Sequence, residues 1–470
     1  MRRNNMSESI DLNQTNIEPE NYLELFGDLQ GNILTSHGRN LSRHLFLKFR
    51  PGKEAEVKSW LVNFADNRIT SAAEQEQQRL AFKKDPSSEA LFVNLYLSSL
   101  AYSYLGFNNL SQLPDDQAFR QGMASRKAVL ADPAQSEWEA GFSEDVDAMV
   151  LLAMDSELEL EGYSEELQLE LADIAEVTTV EKGQVIRNDK DQVIEHFGFV
   201  DGVSNPLYLK RKIDVAGGTD KFNPTAPLSL ILAKDPLSAD QWAYGSYVVY
   251  RKLQQDVQGW NDEVLSLADS MDIQPALAGA YAVGRFQDGT PVVNSEVAID
   301  TPEIPNNFNY QDDKDGLKCP FHAHIRKTNP RGQTAELFPG TTVKSERDHR
   351  ITRRAISFGP APEQSAAKPS YGQPSQSSKD VGLLFICMQS SIVEQFEFMQ
   401  ASWANANQFI EQSVGQDTVI GQGIQSPTDG QAYPTTWGGS EQSRFDFNLF
   451  VNMKGGEYFF APSLSFLKSL

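Results

Sequence analysis

The sequence predicts an α+β protein made of two sheet-plus-helix halves. Three observations carry that expectation. Runs of strand formers at His44–Phe49 (HLFLKF), Ala90–Ser99 (ALFVNLYLSS) and Ala148–Asp155 (AMVLLAMD) are separated by helical stretches. The pattern recurs in the second half, at Tyr247–Lys252 and Val381–Met388. The chain also lacks the regular βαβ rhythm of a doubly wound sheet and any GxGxxG motif.

Composition narrows the functional classes. The chain has 470 residues, room for two large domains or three of roughly 150 residues each. Acidic residues outnumber basic ones 64 to 41, a net charge of −23. Such a surface repels phosphate backbones and anionic lipid, so neither nucleic acid nor membrane is expected as a partner. The N-terminal Met1-Arg-Arg has no apolar run behind it, so no secretory signal is read and a cytoplasmic location is expected. The longest apolar runs are of strand length, far short of a membrane span. Two cysteines, Cys319 and Cys387, cannot build a disulfide framework.

Taken in order, residues 1–22 are polar and patternless and read as a flexible lead-in. Ala55–Ala65 and Ser164–Val177 read as helices. From Glu139 to Glu176 acidic residues dominate, as on a solvated face. Gly359–Asp380 carries four prolines among many Ser and Gln and reads as a surface loop. Beyond the strand at Val381–Met388, Ser391 and Glu394 form a capping box. Ile392, Phe396, Met399 and Trp403 then follow at spacings of four, three and four, a stripe for core packing.

Six histidines limit any imidazole-dependent chemistry: His37, His44, His196, His322, His324 and His349. His322 and His324 form an HxH pair. On a strand they would share a face, as two ligands of a non-haem metal do; otherwise one is a ligand and the other a bystander. Eight basic residues lie between His322 and Arg354, against three acidic ones. That local inversion of charge suits an anionic ligand, or pairs with the acidic stretch elsewhere. A second feature is Glu195–Pro206 (EHFGFVDGVSNP), a tight loop around Asp201 and Gly202.

Three motifs then occur together and in order: GxxDG at Gly198–Gly202, Cys319–Arg331 (CPFHAHIRKTNPR) and His349–Gly359 (HRITRRAISFG). With Leu29–Leu34 (LQGNIL), Leu383–Trp403 and Gly455–Pro462 (GGEYFFAP), the chain from about residue 25 to its end resembles the dye-decolourising peroxidases, in their longer fungal and bacterial subgroup. The resemblance implies two ferredoxin-like domains of the dimeric α+β barrel type. They would be an N-terminal domain over 23–215 and a haem-binding domain over 216–470. It implies one haem b per chain, with hydrogen peroxide and organic reductants such as dyes or phenols as substrates, and leaves a homodimer open. By motif position His324 matches the proximal iron ligand, Asp201 the distal acid–base residue and Arg353 the distal arginine. Arg326 matches a neighbour of a haem propionate, Leu383 and Phe385 match distal apolar residues, and Gly202 completes the distal motif. Asp417, in Gly415–Gly421 (GQDTVIG), would hydrogen-bond the proximal imidazole. Bulky dyes would deliver electrons through surface Trp or Tyr residues. Ala355 and Ser357 stand where the usual form has Gly and Pro, so the placement of Arg353 is the point to check. The alternatives are a haem-binding or haem-delivery protein with little turnover, and a non-haem metal site at His322 and His324.

Overall fold

Strand-forming residues alternate along the chain, and nine of the resulting strands build the framework. A computed structural model describes residues 10–109, 113–217, 220–361, 380–423 and 430–470. The first half supplies β1 (Leu41–Phe49), β2 (Phe92–Leu97), β3 (Ala148–Met154) and β4 (Ala175–Gln184). The second supplies β5 (Tyr244–Gln255), β6 (Thr352–Arg353), β7 (Ile356–Phe358), β8 (Gly382–Gln389) and β9 (Val451–Ala461). Each half has the antiparallel order of a ferredoxin-like sheet, β4-β1-β3-β2 and β7-β8-β5-β9. Single pairings join them, Phe460 to Leu97 and Phe358 to Gly183, and close an eight-stranded ring among the described residues. Closure removes exposed sheet edges, which an antiparallel sheet must otherwise protect.

The pleat gives every strand an inner and an outer face. Inside the ring, Phe46 of β1 packs edge-on against Tyr250 of β5 at 4.7 Å and against Phe142 at 4.8 Å, with Phe459 of β9 at 6.4 Å. On the outside of the first half, the helix Glu157–Leu171 lies over β1 and β3. On the outside of the second half, register places Leu383 beside Leu253 and Phe385 beside Arg251, with Val451 beside Gln255. That outer face is the floor of the site.

Several expectations need correcting. Residues 10–22 are no loose lead-in: Ile10 and Ile17 are buried and the N–H of Ile17 donates to Tyr208 O at 3.0 Å, because two isoleucines here find an apolar surface. Residues 1–9, and most of the expected loop at Gly359–Asp380, lie outside the described residues. The acidic helix begins at Glu157 and ends at Leu171, and Val177 belongs to β4, whose alternation is hidden by its charges. After β8 the chain forms wide π-type turns over Ile392–Glu397 and Met399–Ala404. The Ser391 hydroxyl accepts from Glu394 N at 3.2 Å, but Gln395 rather than Glu394 takes the Ser391 N–H. Ile392, Phe396, Met399 and Trp403 are buried there as expected.

Phe46→Ala removes a fully buried ring that touches both halves. The expected loss of stability is about 3–5 kcal/mol, read from chemical denaturation.

Candidate active site

The loop that carries Asp201 is anchored before it reaches the site. Phe197 stacks on Trp260 at 4.4 Å and Phe199 meets the same ring edge-on at 6.2 Å, which pins the loop to the helix Val257–Met271. His196 Nε2 bonds Phe358 O at 2.8 Å, and the N–H groups of Val200 and Asp201 donate to Gln287 O and Val193 O. Gly202 has φ +78°, a turn that side chains rarely adopt, so the GxxDG motif is a backbone requirement as well as a signature.

The loop ends on a cavity of about 230 Å³. Asp201, Gly202, His324, Arg353, Leu383 and Phe385 all line it, bringing together residues from distant parts of the chain. Most of the remaining wall is apolar, including Val283, Ile325, Met399 and Val451. Arg353 pairs with Asp201, and its backbone N–H donates to Asn205 Oδ1 at 3.0 Å. Burial pushes the Asp201 carboxyl up, but the Arg353 guanidinium outweighs this and holds it below the ordinary carboxylate value. Ala355 is not among the positive-φ residues, so alanine is tolerated there and Arg353 keeps its place.

His324 opens a short helix, His324–Thr328, rather than lying on a strand. Its Nδ1 is 2.8 Å from Asp417 Oδ2, while Asp417 Oδ1 accepts from the N–H groups of Val419 and Ile420 at 2.8 and 2.9 Å. Asp417 is fully buried. Burial raises its pKa, but His324 and the backbone donors more than offset this and hold it below the ordinary range. Nδ1–H therefore donates to the ionised carboxylate, and Nε2 is the ring nitrogen left to the cavity. The loop before Asp417 is pinned by buried Lys327, whose Nζ donates to Ala406 O at 2.7 Å and to Gly415 O at 2.5 Å.

His322 does not join His324 on one face. It is buried against Tyr433, with ring centroids 4.5 Å apart, and the turn between the two histidines separates them. Among the described residues no cluster of three His, Cys, Asp or Glu forms a metal site, which removes the two-histidine reading.

Arg326 is likewise not on the wall. Its guanidinium is fully buried, donating to Asp313 Oδ2 at 2.9 Å, Asp313 O at 2.7 Å and Gln333 Oε1 at 3.0 Å. Position in a motif does not reveal that a neighbouring aspartate has claimed the charge. The sequence reading missed Arg285, Arg331 and Arg350, which do line the cavity. None has a carboxylate partner among the described residues. Arg331 donates to Asn306 O at 2.7 Å and to Ser204 Oγ at 3.0 Å, Arg285 to Pro305 O at 2.8 Å, and Arg350 Nη1 is buried with no partner. Burial pushes their pKa values down, to about 9 for Arg331 and about 10 for the other two. Cations held without counter-charge on a cavity wall call for an anion. Arg331 lies in the same basic segment as Arg326, and no sequence signal separates the two.

A family model described as the DyP dimeric alpha+beta barrel domain matches residues 28–186. A multifunctional dye peroxidase of an Amycolatopsis species is 37% identical over 463 residues, 95% of this chain and 96% of that one. This chain belongs to the dye-decolourising peroxidase family. A dye-decolorizing peroxidase of Mycetinis scorodonius is 32% identical over 94% of this chain and 87% of its own. The crystal structure of a DyP-type peroxidase from Anabaena matches with a TM-score of 0.90 and 42% identity, covering 100% of this chain and 99% of that one. The chain is thus a dye-decolourising-type peroxidase, a haem-dependent class, with the family's barrel. No helix among its described residues is long and apolar enough to cross a membrane.

A depressed carboxylate pKa stabilises the fold above the unfolded value, and that stability is lost as pH falls through the folded value. Asp417→Asn is therefore expected to cost about 1–3 kcal/mol at pH 7. The cost should shrink below pH ~4, where the native Asp417 also begins to protonate. Denaturation of both proteins at the two pH values checks this.

Proposed function

We propose that this peroxidase holds one haem b in the 230 Å³ cavity, reduces hydrogen peroxide there and oxidises dyes and phenols. The observation that carries the reading is that His324, with Nε2 turned to the cavity, lines the same cavity as the Asp201–Arg353 pair. The residues fit the group. An apolar chamber suits a porphyrin, a neutral imidazole suits ferric iron, and Arg331, Arg285 and Arg350 suit carboxylate side arms. When bound, haem supplies an iron that takes up peroxide and stores its two oxidising equivalents.

His324 Nε2 would hold the iron. Asp417, accepting from Nδ1–H, makes the ring more electron-rich, which favours breaking the peroxide O–O bond. Asp201 takes the proton from one peroxide oxygen and returns it to the other, which departs as water. Arg353 keeps positive charge where negative charge develops on the departing oxygen. Leu383 and Phe385 hold bulk water away from that exchange. Because Arg353 keeps Asp201 ionised in mild acid, an aspartate serves where a distal histidine would already be charged.

The direct test is the absorption spectrum of the haem-loaded protein before and after one equivalent of hydrogen peroxide. A Soret band that shifts on addition supports the reading. A Soret band indifferent to peroxide means haem carriage, and no Soret band after adding haem overturns the site. Asp201→Asn is expected to slow the reaction with peroxide by roughly 10²–10⁴-fold. Arg353→Leu should slow it by roughly 10²–10³-fold. Arg331→Leu should weaken haem retention by about tenfold or more, measured by haem transfer to an acceptor protein. Dye oxidation is expected to peak on the acid side of neutrality, and a rate that climbs steadily through pH ~7 would count against Asp201.

A further inference from the structure

The cavity wall carries a second carboxyl that this mechanism does not use. Glu195 lies six residues before Asp201, lines the same cavity and is neither fully buried nor exposed. Its two oxygens accept three hydrogen bonds. Oε2 takes the N–H of Phe197 at 2.8 Å and Gln255 Nε2 at 2.5 Å, and Oε1 takes the N–H of Phe199 at 2.9 Å. Its backbone closes the same turn, its N–H donating to Phe199 O at 3.1 Å and its carbonyl accepting from Gly198 N at 2.8 Å. The side chain therefore fills the inside of the turn that delivers Asp201, and Gln255 ties it to β5, part of the cavity floor.

From this geometry we infer that Glu195 is the positioning residue for Asp201, and that its ionisation sets the alkaline limit of the reaction at the distal wall. The inference rests on the peroxidase reading. Burial and the nearby Asp201 charge push the Glu195 carboxyl up to about 7. The charged groups that act on it are Asp201 from its own loop and Arg353 from β6, while β5 presents the uncharged Gln255. Repulsion between the two carboxylates is mutual, so their titrations are coupled. With Glu195 neutral, Arg353 faces a single negative charge. Once Glu195 ionises, the wall carries two carboxylates against one guanidinium. Peroxide enters neutral, but the anion left once Asp201 takes its proton is then repelled, and Asp201 returns that proton less readily. As pH rises through neutrality the site should become poorer at taking up peroxide, although Asp201 itself has long been ionised.

Cyanide is a suitable probe, because it binds ferric haem as an anion and must leave its proton on the distal base. The rate of cyanide association with the haem-loaded protein, followed by the Soret shift, is measured across pH. The native protein is expected to show a fall of about tenfold as pH rises through neutrality, the size of a one-unit like-charge effect. Glu195→Gln should abolish that limb, and Glu195→Asp, which keeps a carboxyl, should retain it at a shifted pH. A lost turn without an electrostatic role would lower the rate at every pH and leave the limb in place. Infrared difference spectra of the haem-free chain add an independent readout. A protonated carboxyl band should disappear as pH rises through neutrality, and Glu195→Gln should lack part of it, the remainder belonging to Glu457, which burial also pushes up to about 7. A haem-loaded Glu195→Gln protein that keeps the native limb overturns the inference alone. A native chain that takes up no haem overturns the peroxidase reading and the inference together.

Discussion

The hydrogen bond between His324 Nδ1 and the fully buried Asp417, 2.8 Å long, fixes which ring nitrogen faces the cavity. If the Nδ1 proton were absent, the buried carboxylate would lose its main partner. If Nε2 carried the proton instead, the cavity would face a donor rather than a lone pair. The surrounding structure is arranged to keep Asp417 where it is. Two backbone N–H groups take its second oxygen, and Lys327 clamps the loop that leads to it at both Ala406 and Gly415. The tautomer of one imidazole thus depends on four polar contacts around Asp417, two from the backbone of Val419 and Ile420 and two from Lys327 of the same short helix.

The arginines of the cavity follow a different logic, in which one is paired and three are left without a carboxylate. Arg353 has Asp201 as its partner, and both pKa shifts favour the ionised pair. Arg285, Arg331 and Arg350 have carbonyls, amides and a hydroxyl, but no carboxylate among the described residues. In a chain of net charge −23, the two carboxyls that line the cavity, Asp201 and Glu195, pair with none of these three guanidiniums. The outer face of β5 and β8 offers Leu253, Leu383 and Phe385 to the cavity, and the paired charge of Arg251 with Asp132 lies further along the same face.

The order of elements and the residues that gather at the cavity could be read from the chain because both are local. Strand runs at His44–Phe49 and Val381–Met388 announce themselves by composition, and Asp201, His324 and Arg353 sit in compact motifs. β4 escaped notice because charged residues interrupt its alternation, and β9 because glycines at 455 and 456 dilute it. The exchange of Arg326 for Arg331 has a different cause. Both arginines stand in the same basic segment, five residues apart, and only the fold shows that Asp313 neutralises the first while the second faces the cavity. The packing of residues 10–22 was hidden for the same reason, since two isolated isoleucines carry no periodicity.

The claim on which the account turns is that His324 Nε2 binds the iron. The most direct measurement is the spectrum of haem-loaded His324→Gly during titration with free imidazole. A perturbed Soret band is expected in the variant, returning toward the native position as imidazole fills the vacated place. A variant whose Soret band matches the native protein without imidazole would contradict it, because the iron would then be held by some other residue.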